Sequence, residues 1–226
     1  MKNNVIIACD FDNAKQLDAF LSKFGKTKPF IKIGYQLFYN IGVEGVAKYK
    51  KRGYKIFLDL KLHDIPNTVM QGVKTLSKLK VDMLTVHAAG GIEMMHAAKK
   101  YAGNMKILAV TLLTSIAPDI IKKELLIKDK LDKVVLSYAK NAKAANLDGV
   151  ICSVHESRVI KNNIKDFLTV TPGIRLADND THDQKRVATP TQAKKNGSDY
   201  IVVGRAITEA DKPLDVYNKI IKEFNK

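Results

Sequence analysis

Eight short runs of β-branched and apolar residues recur along the chain, and segments with helical periodicity separate them. The runs are VIIACD (5–10), FIKIG (30–34), KIFLDLK (55–61), DMLTVHA (82–88), KILAVT (106–111), DGVICS (148–153), FLTVTP (167–172) and DYIVVGR (199–205). Between them lie amphipathic stretches such as AKQLDAFLSKF, VEGVAKYKKRG and LDKVVLSYAKNAKAANL, several ending in Gly or Asn. Strand–helix alternation builds parallel βαβ units. Eight units in 226 residues match the count and size of an α/β (β/α)8 TIM barrel. A doubly wound open sheet is the alternative. A chain of this length buries roughly 70% of its unfolded surface without staples. No composition shift, linker or low-complexity run divides it, so residues 1–226 are read as a single domain.

Polar or special residues collect at the C-terminal ends of the runs. Asp10 ends the first, Lys32 lies near the end of the second, Asp59 and Lys61 end the third, and His87 the fourth. Thr111 and Thr114 follow the fifth, Ser153 ends the sixth, Pro172-Gly173 the seventh and Gly204-Arg205 the eighth. In a barrel these ends share one face, where active sites are built. Wet loops explain a residue such as Ser153. They do not explain a Lys inside FIKIG or an Asp inside FLDLK, because unpaired buried charge is costly.

FLDLKLHDIPNT (57–68) is the most informative segment. Strand alternation puts Phe57, Asp59 and Lys61 on one face, and Leu58, Leu60 and Leu62 on the face toward the helices. Asp64 follows just beyond, and Pro66 stops ordinary ladder bonding. With Lys32 from the neighbouring run, the expected constellation is Lys32–Asp59–Lys61–Asp64. Such a row can keep Lys61 protonated as a general acid inside a field of fixed carboxylates. A buried structural ion-pair network would use the same residues.

TPGIR (171–175) and VVGRA (202–206) follow the seventh and eighth runs, the usual phosphate loops of a barrel. Gly lets backbone amides approach an anion and Arg adds a bidentate clamp. Three of the five arginines, Arg175, Arg186 and Arg205, fall in this quarter. The long polar segment GIRLADNDTHDQKRVATP reads as a lid. Cys9 and Cys152 sit in apolar runs and read as core. The histidines have no metal-ligand spacing, and His87 reads as a hydrogen-bonded strand-end residue. HAAGG (87–91) lacks the dinucleotide fingerprint.

The net charge of +15 raises the question of nucleic acid. The bases are nearly all Lys, spread along the chain and interleaved with acids, without stacking aromatics. In KKELLIKDKLDK (122–133) the pairs Glu124–Lys128 and Asp129–Lys133 read as an exposed helix face. The reading is a solvated surface that can also draw in an anionic substrate. No run approaches the ~20 apolar residues of a membrane span, and the N-terminus is too short in apolar residues for a signal peptide. Two cysteines make no disulfide scaffold. The expectation is a cytoplasmic protein with neither nucleic-acid nor membrane partner.

The ordered motifs ACD, IKIG, FLDLKLHDIPNTV, VHAAGG, AVTLLTS, VTPGIR and IVVGRA resemble those of the bacterial-type orotidine 5′-monophosphate decarboxylases, from about Ile6 to Ile207. The resemblance implies a homodimeric barrel that needs no metal or organic cofactor. It implies conversion of orotidine 5′-monophosphate to UMP and CO2, the last step of de novo UMP synthesis. Lys61 then matches the proton donor to C6, and Asp59 the carboxylate beside the substrate carboxylate. Asp10 and Lys32 match residues holding the ribose hydroxyls. Asp64 and Thr68 match residues that reach the partner's site. Thr114 takes the place of a hydroxyl residue reading the pyrimidine edge. Arg175 starts the phosphate loop, and Gln184, Gly204 and Arg205 match phosphate contacts. Pro172 and the whole stretch Asp59, Leu60, Lys61, Leu62, His63, Asp64, Ile65, Pro66, Asn67 and Thr68 fall in the family's substrate-binding segments. Cys9 departs from the Ala or Leu expected there, which alters only packing behind Asp10. Asp59 is left with two roles, repelling the substrate carboxylate or orienting Lys61. Two rivals stand beside this reading. One is a Mg²⁺-dependent sugar-phosphate decarboxylase sharing the D-x-K-x-x-D core. The other is a Lys-rich nucleic-acid binder on a barrel scaffold.

Overall fold

The computed structural model describes residues 4–176 and 187–226. Its strands are β1 (Val5–Ala8), β2 (Phe30–Gly34), β3 (Ile56–Leu62), β4 (Met83–His87), β5 (Lys106–Val110), β6 (Gly149–Ile151), β7 (Leu168–Thr171) and β8 (Tyr200–Val203). Seven lie inside the runs read from the sequence, and β3 extends one residue further. All are parallel, each beside its neighbour in sequence, and β8 closes onto β1 through Val5↔Ile201, Ile6↔Val202 and Ile7↔Val203. The closure removes the open-sheet alternative and leaves a (β/α)8 barrel.

The two faces of the strands bury two different cores. Ile6, Ala8, Phe30, Phe57, Met83, Leu108, Val170 and Val202 fill the barrel interior. The alternate residues, among them Ile7, Ile31, Ile33, Leu58, Leu84 and Val86, pack outward against the helices. Burial on both faces is why the strands read as continuous apolar runs. Cys9 and Cys152 are fully buried, as expected of core residues. Gly149 is fixed by space. A side chain there would run into the backbone carbonyl of Leu168 on β7.

The opposite end of the barrel carries a device the sequence reading passed over. Asp82, Asp148 and Asp199 each precede an even-numbered strand. Each carboxylate accepts the first free amide of the preceding odd strand, from Ile56, Ile107 and Thr169, all at 2.8 Å. Each also pairs with a lysine of the helix that leads into that odd strand: Lys50 at 2.8 Å, Lys99 at 2.6 Å and Lys161 at 2.6 Å. The amides of the same three aspartates donate back to Ile56, Ile107 and Thr169 carbonyls. One side chain thus ties strand, strand and helix together at the face remote from the polar strand ends. Asp148→Ala leaves the Ile107 amide without its acceptor. It should lower unfolding free energy by about 1–3 kcal/mol in urea titrations, with turnover unchanged.

One local expectation is corrected. Residues 122–133 do not form one helix: a helix ends at Lys123 and the next begins at Leu131. Leu126, at φ 55°, takes a left-handed conformation that interrupts the helical path. Glu124 and Lys128 therefore share no helix face. Asp129 and Lys133 do pair, at 2.8 Å, across the start of the second helix. No helix among the described residues is long and apolar enough to cross a membrane.

Candidate active site

The C-terminal ends of the strands surround a cavity of about 640 Å³. Asp10, Lys32, Asp59, Lys61, Thr114, Pro172, Arg175, Gly204 and Arg205 all line it. Its apolar wall is the top of the barrel interior, Ala8, Phe57 and Val202.

One wall holds a continuous row of alternating charge. Lys32 Nζ lies 2.9 Å from Asp10 Oδ1 and 3.6 Å from Asp59 Oδ2. Lys61 Nζ lies 2.9 Å from the same Asp59 Oδ2. Period-two alternation puts Lys32 two residues after Phe30 and Asp59 two after Phe57, so both charges stand above inward-facing apolar residues. Gly34 leaves room for the first pair. A Cβ there would sit 3.3 Å from both Asp10 Oδ1 and Lys32 Nζ.

Burial disfavours charge on both Lys32 and Asp59, yet their mutual placement overcomes it. For Lys32, desolvation pushes the pKa down, but Asp59 and Asp10 hold it above the usual lysine value. For Asp59, desolvation pushes up, but Lys32 and Lys61, with hydrogen bonds from Lys61 and Thr85, hold it below the usual carboxylate range. Both are therefore ionised near neutral pH. The row Asp10–Lys32–Asp59–Lys61 is close to electroneutral, with an ammonium at its free end.

The fourth expected member, Asp64, stands elsewhere. It is exposed, its Oδ1 accepts the Ile65 amide at 2.6 Å, and among the described residues no ion pair joins it to Lys61. Pro66 begins a helix two residues later, which turns the chain away from the strand. Asp10 takes Asp64's place in the row. Leu60 and Leu62 pack toward the helices, while His63, Ile65, Asn67 and Thr68 are exposed and Pro66 half-buried; none lines this chain's cavity. His87 does not hydrogen-bond through its ring among the described residues. It lies ring to ring with His63, centroids 5.3 Å apart, and burial followed by the nearby His63 and Lys61 pushes its pKa down.

At the ends of β7 and β8 the cavity is lined by Arg175 and Arg205, with Glu209 beyond them. Arg175 is buried beside the turn at Pro172-Gly173, its Nη1 donating to the Ile174 carbonyl at 2.9 Å. Gly173, at φ 79°, makes the turn possible. The Arg175 amide donates to Ala188 and the Ala188 amide to Gly173, both at 3.0 Å, which closes the β7 loop. Gly204 and Arg205 leave β8 onto a short helix. Gln184, Arg186 and most of the segment read as a lid lie outside the described residues.

Sequence reasoning missed Thr85. It is fully buried in the middle of β4, at an inward position, and its hydroxyl contacts both Asp59 and Lys61. A polar residue inside a strand buried on both faces was the available signal.

The family model for orotidine 5′-phosphate decarboxylase / HUMPS proteins matches residues 3–220. The chain belongs to that family. It is 49% identical to the orotidine 5′-phosphate decarboxylase of Bacillus pumilus, over 99% of this chain and all of that protein. It is 50% identical to the enzyme of the same name from Lactobacillus acidophilus, over the full length of both. A crystal structure of the Lactobacillus acidophilus enzyme superposes with a TM-score of 0.90 at 47% identity, covering both chains completely.

Proposed function

We propose that this chain decarboxylates orotidine 5′-monophosphate to UMP and CO2. The charged row ending in Lys61, set opposite Arg175 and Arg205 in one cavity, carries this reading. Full-length relatives of nearly half identity bearing that enzyme name support it over a sugar-phosphate substrate.

The reaction breaks the bond from C6 to the carboxylate. The electron pair stays on C6 in an sp² orbital that the ring cannot spread, so the uncatalysed barrier is very high. The Lys61 ammonium stabilises that developing charge, then donates its proton to C6; solvent returns the proton to Lys61. Asp59 and Lys32 are already ionised and fixed, so little reorganisation is needed as charge moves. Lys32 and Asp10 hold the ribose hydroxyls, and Thr114 reads the pyrimidine edge. Arg175, Gln184, Gly204 and Arg205 grip the phosphate, whose binding energy contributes to catalysis at the distant bond. This scheme uses only the chain's own charges, with no metal or organic cofactor.

Asp64 and Thr68 are exposed and do not line this chain's cavity, and we assign them to the site of a second copy in a homodimer. Supporting this, Ile65 beside them, Tyr35 with its ring 5.6 Å from Lys61 Nζ, and Tyr39 and Val43 on the same helix as Tyr35 are large exposed apolar residues. A cytoplasmic place in pyrimidine biosynthesis follows from the same assignment.

The decisive assay mixes chelator-treated protein with orotidine 5′-monophosphate and follows its ultraviolet absorbance and the formation of UMP. Metal-independent conversion is expected. No conversion by a folded dimer, with activity appearing on sugar phosphates plus Mg²⁺, would overturn the assignment. Within the same assay, Arg205→Ala should lower kcat/KM about 10–10²-fold by loss of a charge-assisted phosphate contact. An unchanged dependence of rate on substrate concentration would remove Arg205 from the phosphate site.

A further inference from the structure

We propose that Thr85 is a positioning residue that sets the aim of Lys61 and the orientation of Asp59. The inference rests on the decarboxylase reading above for its kinetic consequence, but its structural part does not.

The register between β3 and β4 shows why a residue is needed here. Leu58 pairs with Leu84 and Leu62 with Val86, so Asp59, Leu60 and Lys61 together stand opposite Thr85 alone. Two extra residues on β3 make a bulge, and a bulge costs ladder hydrogen bonds. Within it Lys61 takes φ 47°, a left-handed conformation unusual for a side chain of this size. That conformation turns the β3 backbone and so sets the direction in which Lys61 leaves the strand.

The lost ladder bond is replaced by a side chain. The Lys61 amide donates to Thr85 Oγ1 at 2.9 Å, where a regular strand would have offered a carbonyl. A threonine hydroxyl has one proton, and here it goes to Asp59 Oδ1 at 3.0 Å. Asp59 Oδ1 is thereby occupied, and Oδ2 is the oxygen left facing both Lys61 Nζ at 2.9 Å and Lys32 Nζ at 3.6 Å. One buried hydroxyl therefore reads the backbone of the proton donor and the carboxylate that pairs with it. Thr85 does not line the cavity. It acts through the other two.

Thr85→Val keeps the shape and removes the hydroxyl; Thr85→Ser keeps the hydroxyl. For both, kcat and KM for orotidine 5′-monophosphate are measured beside hydrogen exchange at the Lys61 amide. Thr85→Val is expected to lower kcat about tenfold with KM within about twofold, and to lose protection of the Lys61 amide. Thr85→Ser is expected to restore both. Wild-type kcat in Thr85→Val would overturn the role, and so would equal losses in the Val and Ser variants, which mark a packing defect. A wild-type protein that does not turn over this nucleotide would refute the decarboxylase reading alone. The Lys61 amide then still decides: protection lost with Val and kept with Ser supports the positioning role, and unchanged protection with Val overturns it.

Discussion

Replacing Lys61 with alanine is expected to lower kcat by more than about 10⁴-fold, while UMP still binds. Two losses combine. Proton donation in the transition state is worth about 10²–10⁴ in rate. A preorganised charge beside a developing anion is worth about 10²–10³. In the proposed mechanism Lys61 supplies both, from the end of the row, 2.9 Å from Asp59 and lining the cavity. The arginines across the cavity are untouched, so titration of the variant with UMP should still saturate. Turnover retained within tenfold would remove Lys61 as the proton donor. The same variant tests the proposed homodimer. Mixed with Asp64→Ala, itself expected to be impaired, it should regain roughly a quarter of wild-type activity if random two-fold pairing builds one intact site per mixed dimer. Activity that merely averages the two variants would place Asp64 in its own chain's site or in none.

The barrel was legible in the sequence because its strands are buried on both faces, which leaves no polar register to interrupt the apolar runs. Lys32, Asp59 and Lys61 were legible for the converse reason, as charges where such runs do not tolerate them unpaired. Asp10 was visible as a strand-end residue, but its ion pair with Lys32 depends on the β1–β2 register, Ala8 opposite Lys32. The assumption that Asp64 continued the row failed on local chain direction. Strand alternation predicts faces only while the strand lasts, and β3 ends at Leu62. Thr85 and the three aspartates at the barrel base were in plain view as letters. Their partners are backbone amides that become available only through strand register and a bulge, and neither is written in composition or period.

Asp59→Asn is expected to lower kcat by about 10³-fold, and the way it does so separates the two roles open to this carboxylate. Acting by repulsion, Asp59 would raise the free energy of the bound substrate through its carboxylate. Its removal would then tighten orotidine 5′-monophosphate relative to UMP, which lacks that group. Acting by orientation, Asp59 would leave that ratio unchanged, and only turnover would fall. The geometry favours orientation. Both oxygens of Asp59 are engaged, Oδ1 by Thr85 and Oδ2 by two ammonium groups, so little of its charge is left to repel a ligand. The two lysines that depress its pKa also screen its field. We therefore expect the affinity ratio of a non-turned-over substrate analogue bearing the carboxylate to UMP to stay within about threefold in Asp59→Asn, as a screened charge implies. A tightening of tenfold or more would show that repulsion survives the screening, and that the row spends part of its charge on raising the substrate rather than on holding Lys61 in place.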